Sequence, residues 1–446
     1  MIGYNILESG IGTNGIYQTK AWGSNPPVSV NTDIYNMSYG RGYGKDDDDN
    51  PKTTYALQSR LYTVFEDALK NGIENLRNEK GAIYIQSSGN EFSKNSTDDC
   101  GTNLTCAEVL WDHKSTVPYI MQVGALNATG EKSSYTTPGS ALWISGFGGE
   151  NGWNNSHLNS QGISNQSGSS IEAAMMTVDQ SSCSKGYVSE NGSTGGVDGL
   201  EPNVFNDFNG DNSENSSCNY HSTFNGTSSA APTVSGVVAL MLEANSDLTW
   251  RDVKHILATT ADQVGSDTDY SYTYQGLVQY EWETNAAGYK FHNWYGFGKV
   301  DAAEAVSVAS SYTANSRGTF ASSGIKASGI INSSIAYPNT TTSTINVTKP
   351  SGSNDHVEFV RVTLKLDHAI PKSIGIRLQS PAGTVMNIMQ PMTNVDTNPS
   401  DIYFDIGVNG FYGEIIEGDW IIGLNDYIND STNGTLIEWG INVYGN

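Results

Sequence analysis

Asn225-Gly-Thr-Ser-Ser-Ala-Ala-Pro232, followed by Thr-Val-Ser-Gly-Val-Val-Ala-Leu-Met-Leu-Glu243, decides how this 446-residue chain is read. A tight turn at Gly226 delivers Ser228 to the first turn of an apolar helix. First-turn N–H groups have no helical acceptors, and the helix dipole is positive there, so negative charge on a neighbouring oxygen is stabilised. Small residues at Ser229, Ala230 and Ala231 let a substrate backbone come close. Pro232 is expected in the first turn, where a missing N–H costs nothing. In isolation the stretch also fits an ordinary helix cap made by Thr227 or Ser228.

A second stretch gives the first a chemical partner. Ile83-Tyr-Ile-Gln-Ser-Ser-Gly-Asn90 places an asparagine just past an apolar strand and a Ser-Gly turn. An amide there can donate to the oxyanion of a tetrahedral intermediate, a contact worth roughly 3–4 kcal/mol. Its plainer reading is a left-handed turn residue.

Around these two points, residues 1 to about 312 alternate helix-like and strand-like segments. Ile34 to Ser38 reads as a short strand, and 56–76 carries helical spacing of Leu57, Leu61, Val64, Phe65, Leu69 and Ile73 before a stop at Lys80-Gly81. Ala82 to Gln86 and Val117 to Val123 read as buried strands, so a parallel α/β sheet is expected. Residues 150–222, rich in Gly, Ser and Asn, read as long loops. From about Gly318 the helical spacing disappears. Val360, Val362, Leu364 and Leu366 alternate with Arg361, Thr363, Lys365 and Asp367, and Ile374, Ile376 and Leu378 repeat the pattern. The expected division is 1–312 as an α/β unit and 318–446 as an all-β sandwich.

Composition narrows the function classes. With 37% hydrophobic residues the chain can bury a large core, and no window is apolar for long enough to span a membrane as a helix. The net charge of −24 argues against nucleic-acid binding and favours solubility, cations and basic peptides. Four cysteines fall as local pairs, Cys100 with Cys106 and Cys183 with Cys218, at spacings that fit no zinc site. Two local disulfides, and with them an oxidising compartment, are the expectation; free buried thiols are the alternative. The many Asn-X-Ser/Thr sequons reflect composition, since one of them, Asn225-Gly-Thr227, falls inside the candidate site. The first residues show no signal peptide, so an export signal is expected upstream of them.

Taken together, the segments around Ser228 and Asn90 resemble the subtilisin-like serine proteases, in particular the kexin/furin-like proprotein convertases and their bacterial relatives. Leu242 to Val253 is similar to the family's helix–turn–helix after the nucleophile, and Trp294 to Asp301 to the approach to its last catalytic-domain helix. Ser380-Pro-Ala-Gly-Thr384, Gly418-Asp-Trp420, Gly434 to Trp439 and terminal Tyr444-Gly445 resemble the accessory P (homo B) domain. The resemblance implies a subtilase α/β fold, lacking its N-terminal part, followed by a jelly-roll-like P-domain sandwich. It assigns Ser228 as nucleophile and Asn90 as oxyanion donor. Ser38, Gly40, Ser88, Gly89 and Thr227 are implied to line the substrate groove. Asp98 and Asp99, before Cys100, would face a basic substrate side chain or hold calcium, as would Asp46 and Asp47 in an acidic insertion after Gly40. Asp207, Asn209, Asp211 and Ser213 have calcium-loop spacing but lack the glycine and glutamate of an EF-hand.

One departure outweighs the matches. The family's Asp lies in Asp-Ser/Thr-Gly and its His in His-Gly-Thr, and neither string occurs here; no histidine precedes a glycine. His113, His157 and His221 precede Ser228 but read as loop residues. The expectation is therefore a secreted or periplasmic, basic-preferring serine endopeptidase, here the product of a truncated reading frame or the carboxy-terminal piece of a longer enzyme and close to inert alone; a chain that works once joined to an upstream fragment supplying Asp and His is one alternative. The rival is a non-catalytic protein that keeps the groove to bind peptides.

Overall fold

A computed structural model describes residues 22, 32–40, 63–92, 107–152, 172–183, 213–265, 273–274, 277–278, 280–393 and 402–446. Four parallel strands make the first sheet in the order β1 (Ile34–Met37), β2 (Ile83–Ser87), β3 (Ile120–Leu126) and β4 (Leu142–Phe147). β2 and β3 are buried along their whole length, as expected for strands covered on both faces. Helix α1 (Thr63–Asn75) presents Phe65, Leu69 and Ile73 to the core, and Gly81 (φ 81°) turns the chain into β2. β3 starts later than the apolar run suggests, because a 3-10 turn occupies His113–Thr116 and Pro118 has no N–H for the ladder.

Helix α2 (Thr227–Ala244) lies across this sheet and buries Ala230, Ala231, Val234, Val238 and Met241. A Cβ on Gly146 of β4 would sit 2.9 Å from the Ala230 carbonyl, so glycine sets how closely strand and helix approach. Helix α3 (Trp250–Thr260) starts with a capping box between Thr249 and Asp252. Helix α4 (Ala302–Ser311) is capped by Asp301, which accepts from the Glu304 N–H.

The loop reading of 150–222 needs correction. β5 (Met175–Val178) and β6 (Tyr220–Phe224) pair as an antiparallel ribbon, and His221 stands within β6, opposite Thr177. The ribbon's two strands, Met-Met-Thr-Val and Tyr-His-Ser-Thr-Phe, are short and set in a Gly/Ser/Asn-rich stretch, which masks their signal. The Cys183–Cys218 disulfide closes its far end, as expected from the local pairing.

Beyond α4 the chain forms two antiparallel sheets. Val357–Asp367 pairs with Asn433–Gly445 and Ile402–Val408 in one; Gly418–Asp426 pairs with Thr340–Val347 and Ile374–Gln379 in the other. Trp420, Trp439, Val362 and Leu364 fill the space between. The alternation read from 360–366 is the inward and outward face of one strand.

The two halves share one continuous apolar core. Asn409 Nδ2 donates to the Ala141 carbonyl (2.8 Å), Asn285 Nδ2 to the Gly410 and Tyr412 carbonyls (both 2.9 Å), and Gln390 N–H to Glu108 Oε1 (2.9 Å). Arg251 of α3 grips Glu358 through Nε (3.0 Å) and Nη2 (2.5 Å), while Arg317 lies 3.5 Å from the same carboxylate.

Candidate active site

The turn before α2 is built around glycine. Gly226 has φ 95°, open to glycine at little cost, and its N–H donates to the Tyr135 hydroxyl at 2.8 Å. That hydroxyl donates in turn to the Gly148 and Gly149 carbonyls (2.9 and 2.6 Å), and burial pushes its pKa up to about 12. Asn225 Nδ2 donates to the Glu150 carbonyl (3.2 Å) and Asn151 Oδ1 (2.9 Å). Ser228 is thus presented, half-buried, from a turn fixed on both sides.

Asn90 arrives from the end of β2 and is locked to the same turn. Its Oδ1 accepts from the Thr227 N–H (2.8 Å) and from Thr227 Oγ1 (3.0 Å), while Thr227 Oγ1 accepts from the Gly89 N–H (3.1 Å). With Oδ1 committed, the amide orientation is set, and Nδ2 has no protein acceptor among the described residues. A Cβ on Gly226 would stand 3.3 Å from Asn90 Nδ2 and 3.5 Å from Ser228 N. Two donors from distant parts of the chain therefore border one small space that glycine leaves empty.

Ser38 closes the third side. Ser228 Oγ donates to the Ser38 carbonyl (3.3 Å), and Ser38 Oγ donates to the Ser228 carbonyl (2.9 Å). The second bond corrects the reading of Pro232, which lies in the second turn of α2, not the first. An N–H at that position would bond the Ser228 carbonyl four residues back. Proline has none, and the Ser38 hydroxyl takes the freed carbonyl.

The structure thus gathers Ser228, Asn90, Thr227, Gly89 and Ser38. Ser88 is buried beside them, its hydroxyl without a partner among the described residues, and Gly40 follows Ser38 on the exposed rim. Asp46, Asp47, Asp98, Asp99, Cys100, Cys106, His157 and the 207–211 string lie outside the described residues. Among the described residues no three His, Cys, Asp or Glu side chains gather as a metal site. None of the described hydrogen bonds joins an imidazole to the Ser228 hydroxyl; His221 Nε2 pairs with Thr223 Oγ1 at 2.7 Å, and burial lowers its pKa.

Three further residues shape the site. Tyr135 organises the Gly226 turn, Glu91 accepts from Thr137 Oγ1 (3.0 Å) next to Asn90, and Asp112 lies buried beneath Gly40. Only Glu91 had a local signal, its position after Asn90; the other two act across long sequence distances. Among the described residues no helix is long and apolar enough to cross a membrane.

The geometry agrees with what the chain is similar to. The Subtilase family profile matches residues 1–298 and the Proprotein convertase P-domain profile matches 357–443. The Aeromonas extracellular serine protease of Aeromonas sobria is 28% identical over 98% of this chain and 68% of its own length. Proprotein convertase subtilisin/kexin type 5 of Homo sapiens is 31% identical over 49% of this chain but only 12% of that protein. The dibasic-processing endoprotease of Yarrowia lipolytica is 24% identical over 93% of this chain and 34% of that protein. This chain therefore spans less than two thirds of the convertase and of the endoprotease. The crystal structure of the Aeromonas sobria protease with its chaperone superposes with a TM-score of 0.78 at 27% identity, over 99% of this chain and 76% of that one. A family profile over most of the chain, a parallel sheet feeding a serine at a helix head, and an antiparallel P-domain behind it place this chain in the subtilase family.

Proposed function

We propose that the chain carries the nucleophile half of a subtilisin-like serine endopeptidase centre that prefers a basic residue before the scissile bond. Ser228 Oγ attacks the carbonyl carbon, and Asn90 Nδ2 with the Ser228 N–H receives the oxyanion. The observation that carries the reading is the pair of bonds from Thr227 to Asn90 Oδ1, which turns the amide N–H₂ toward the space beside Ser228 N. The base and its orienting acid are absent in the family's settings, so an upstream segment supplies the His and Asp, in the same polypeptide or a separate one.

Acidic side chains near the groove support the basic preference. Glu91 stands beside Asn90, and the resemblance to the convertases gives Asp98 and Asp99, outside the described residues, the same role. Calcium would be held by Asp46, Asp47, Asp98 and Asp99, through hard carboxylate oxygens suited to that ion. The substrate is a peptide or protein. Export is supported by the Cys183–Cys218 disulfide and by the extracellular Aeromonas relative.

Fluorophosphonate labelling tests the reading. The chain alone should label slowly, and labelling should rise by orders of magnitude when a segment carrying Asp-Ser/Thr-Gly and His-Gly-Thr is added. Ser228→Ala should abolish it. Equal labelling of the Ser228→Ala variant, or no response to the added segment, would refute the assignment and favour a groove that only binds peptides.

A further inference from the structure

We infer that Lys114 sets the selectivity of the groove beside Ser228 by acting as an internal cation on Asp112. The inference rests on the peptidase reading above. A Cβ on Gly40 would stand 2.7 Å from Asp112 Oδ2, and two residues earlier the Ser38 carbonyl receives the Ser228 hydroxyl. A carboxylate packed against this exposed glycine, two residues from the Ser38 carbonyl, is complementary to the guanidinium or ammonium of a bound side chain.

That carboxylate is already engaged. Lys114 Nζ donates to Asp112 Oδ2 at 2.8 Å, Gln86 Nε2 donates to the same oxygen at 3.0 Å, and the Lys114 N–H donates to Oδ1 at 3.0 Å. Asp112 caps the 3-10 turn that carries Lys114, so the pair is held by local backbone geometry. The side chains are only 7% and 11% exposed, and the ammonium also lies 5.5 Å from the Tyr39 ring centroid. Gln86 is fixed from behind by Gln122 (2.8 Å) and also donates to the Tyr39 carbonyl (3.1 Å). The acid is therefore part of a built network that already holds a cation, rather than an open anionic floor.

An incoming arginine or lysine must expel the Lys114 ammonium before it reaches Asp112, and expulsion breaks a buried pair. A neutral side chain of the same shape carries no such cost. Selectivity is a difference of affinities, so Lys114 lowers the preference for a basic residue relative to a neutral isostere.

The test measures dissociation constants of two peptides, one ending in arginine and one in its neutral isostere citrulline, by fluorescence polarisation. The wild-type chain should favour arginine by less than about tenfold, and Lys114→Met should widen that ratio by about tenfold, the size of one specific charge contact. The double variant Asp112→Asn with Lys114→Met removes both charges and should return the ratio to the wild-type level. An unchanged ratio in Lys114→Met, with both peptides bound, overturns the inference. If neither peptide binds any variant, the peptidase groove fails, and a second readout decides Lys114 separately. Agmatine, a free guanidinium ligand, should raise the melting temperature of Lys114→Met but not of the double variant. No shift in Lys114→Met would overturn the inference on its own.

Discussion

Glu358 binds two cations, Arg251 of α3 and Arg317 of the segment joining the two halves, and the consequences of breaking that cluster can be ranked. Arg251 and Arg317 both approach its carboxylate, with side chains 8% and 13% exposed. Replacing Glu358 with Gln leaves two buried guanidiniums facing each other without an anion. Breaking a buried pair from one side costs about 3–5 kcal/mol, and the upper part of that range is expected here. Arg251→Met is milder, because Arg317 remains 3.5 Å from Glu358 and the charges still cancel. Its cost is the loss of charged hydrogen bonds to Glu358 and to the Gly318 and Arg317 carbonyls, about 2 kcal/mol. The double variant leaves one uncompensated guanidinium, so it should be more stable than Glu358→Gln alone. Urea unfolding followed by tryptophan fluorescence and far-UV circular dichroism measures all three. The two probes should coincide, since one core runs through both halves. A Glu358→Gln cost below about 1 kcal/mol, or a double variant less stable than Glu358→Gln, would refute this account of the seam.

Other substitutions probe the turn, the seam and the pH response. Tyr135→Phe strands the buried Gly226 N–H and should cost about 1–3 kcal/mol in thermal unfolding while slowing Ser228 labelling. Gly407→Ala drives a methyl into the Ser115 carbonyl and should destabilise by about 2 kcal/mol or more, whereas Gly236→Ala, with open space in the middle of α2, should stabilise by about 0.5–1 kcal/mol. Burial pushes Glu108 up to about 8 from an ordinary 4.5, so the folded chain keeps a proton that the unfolded chain releases. Stability from this group is full below pH 4.5 and is lost as pH rises through 8. The gain from Glu108→Gln should therefore be small at acidic pH and grow by up to about 1.4 kcal/mol per unit across that window, as read by denaturant midpoints.

Much of the site was legible because its chemistry is local. Gly226, Thr227 and Ser228 are consecutive, and Asn90 closes an apolar strand, so each carried its own signal. The alternation from Val360 to Leu366 exposed the sandwich for the same reason. What stayed hidden depends on distance in sequence. Tyr135 reaches Gly226 across |i−j| of 91, and Ser38 reaches the Ser228 carbonyl across 190. No periodicity announces such contacts. The place of Pro232 in the second turn is not legible either, because the sequence does not show that a serine from another strand end satisfies the carbonyl it frees. The β5–β6 ribbon is hard to see because its strands of four and five residues sit in a Gly/Ser/Asn-rich stretch, and Asp112 lacks flanking acids like those of Asp98 and Asp99.

A crystal structure of the chain with a peptide boronate bound would test the central geometry most directly. Boron should bond to Ser228 Oγ, and one borate oxygen should lie about 2.7–3.1 Å from both Asn90 Nδ2 and Ser228 N. Boron on any other residue, or a borate oxygen directed away from Asn90, would contradict it.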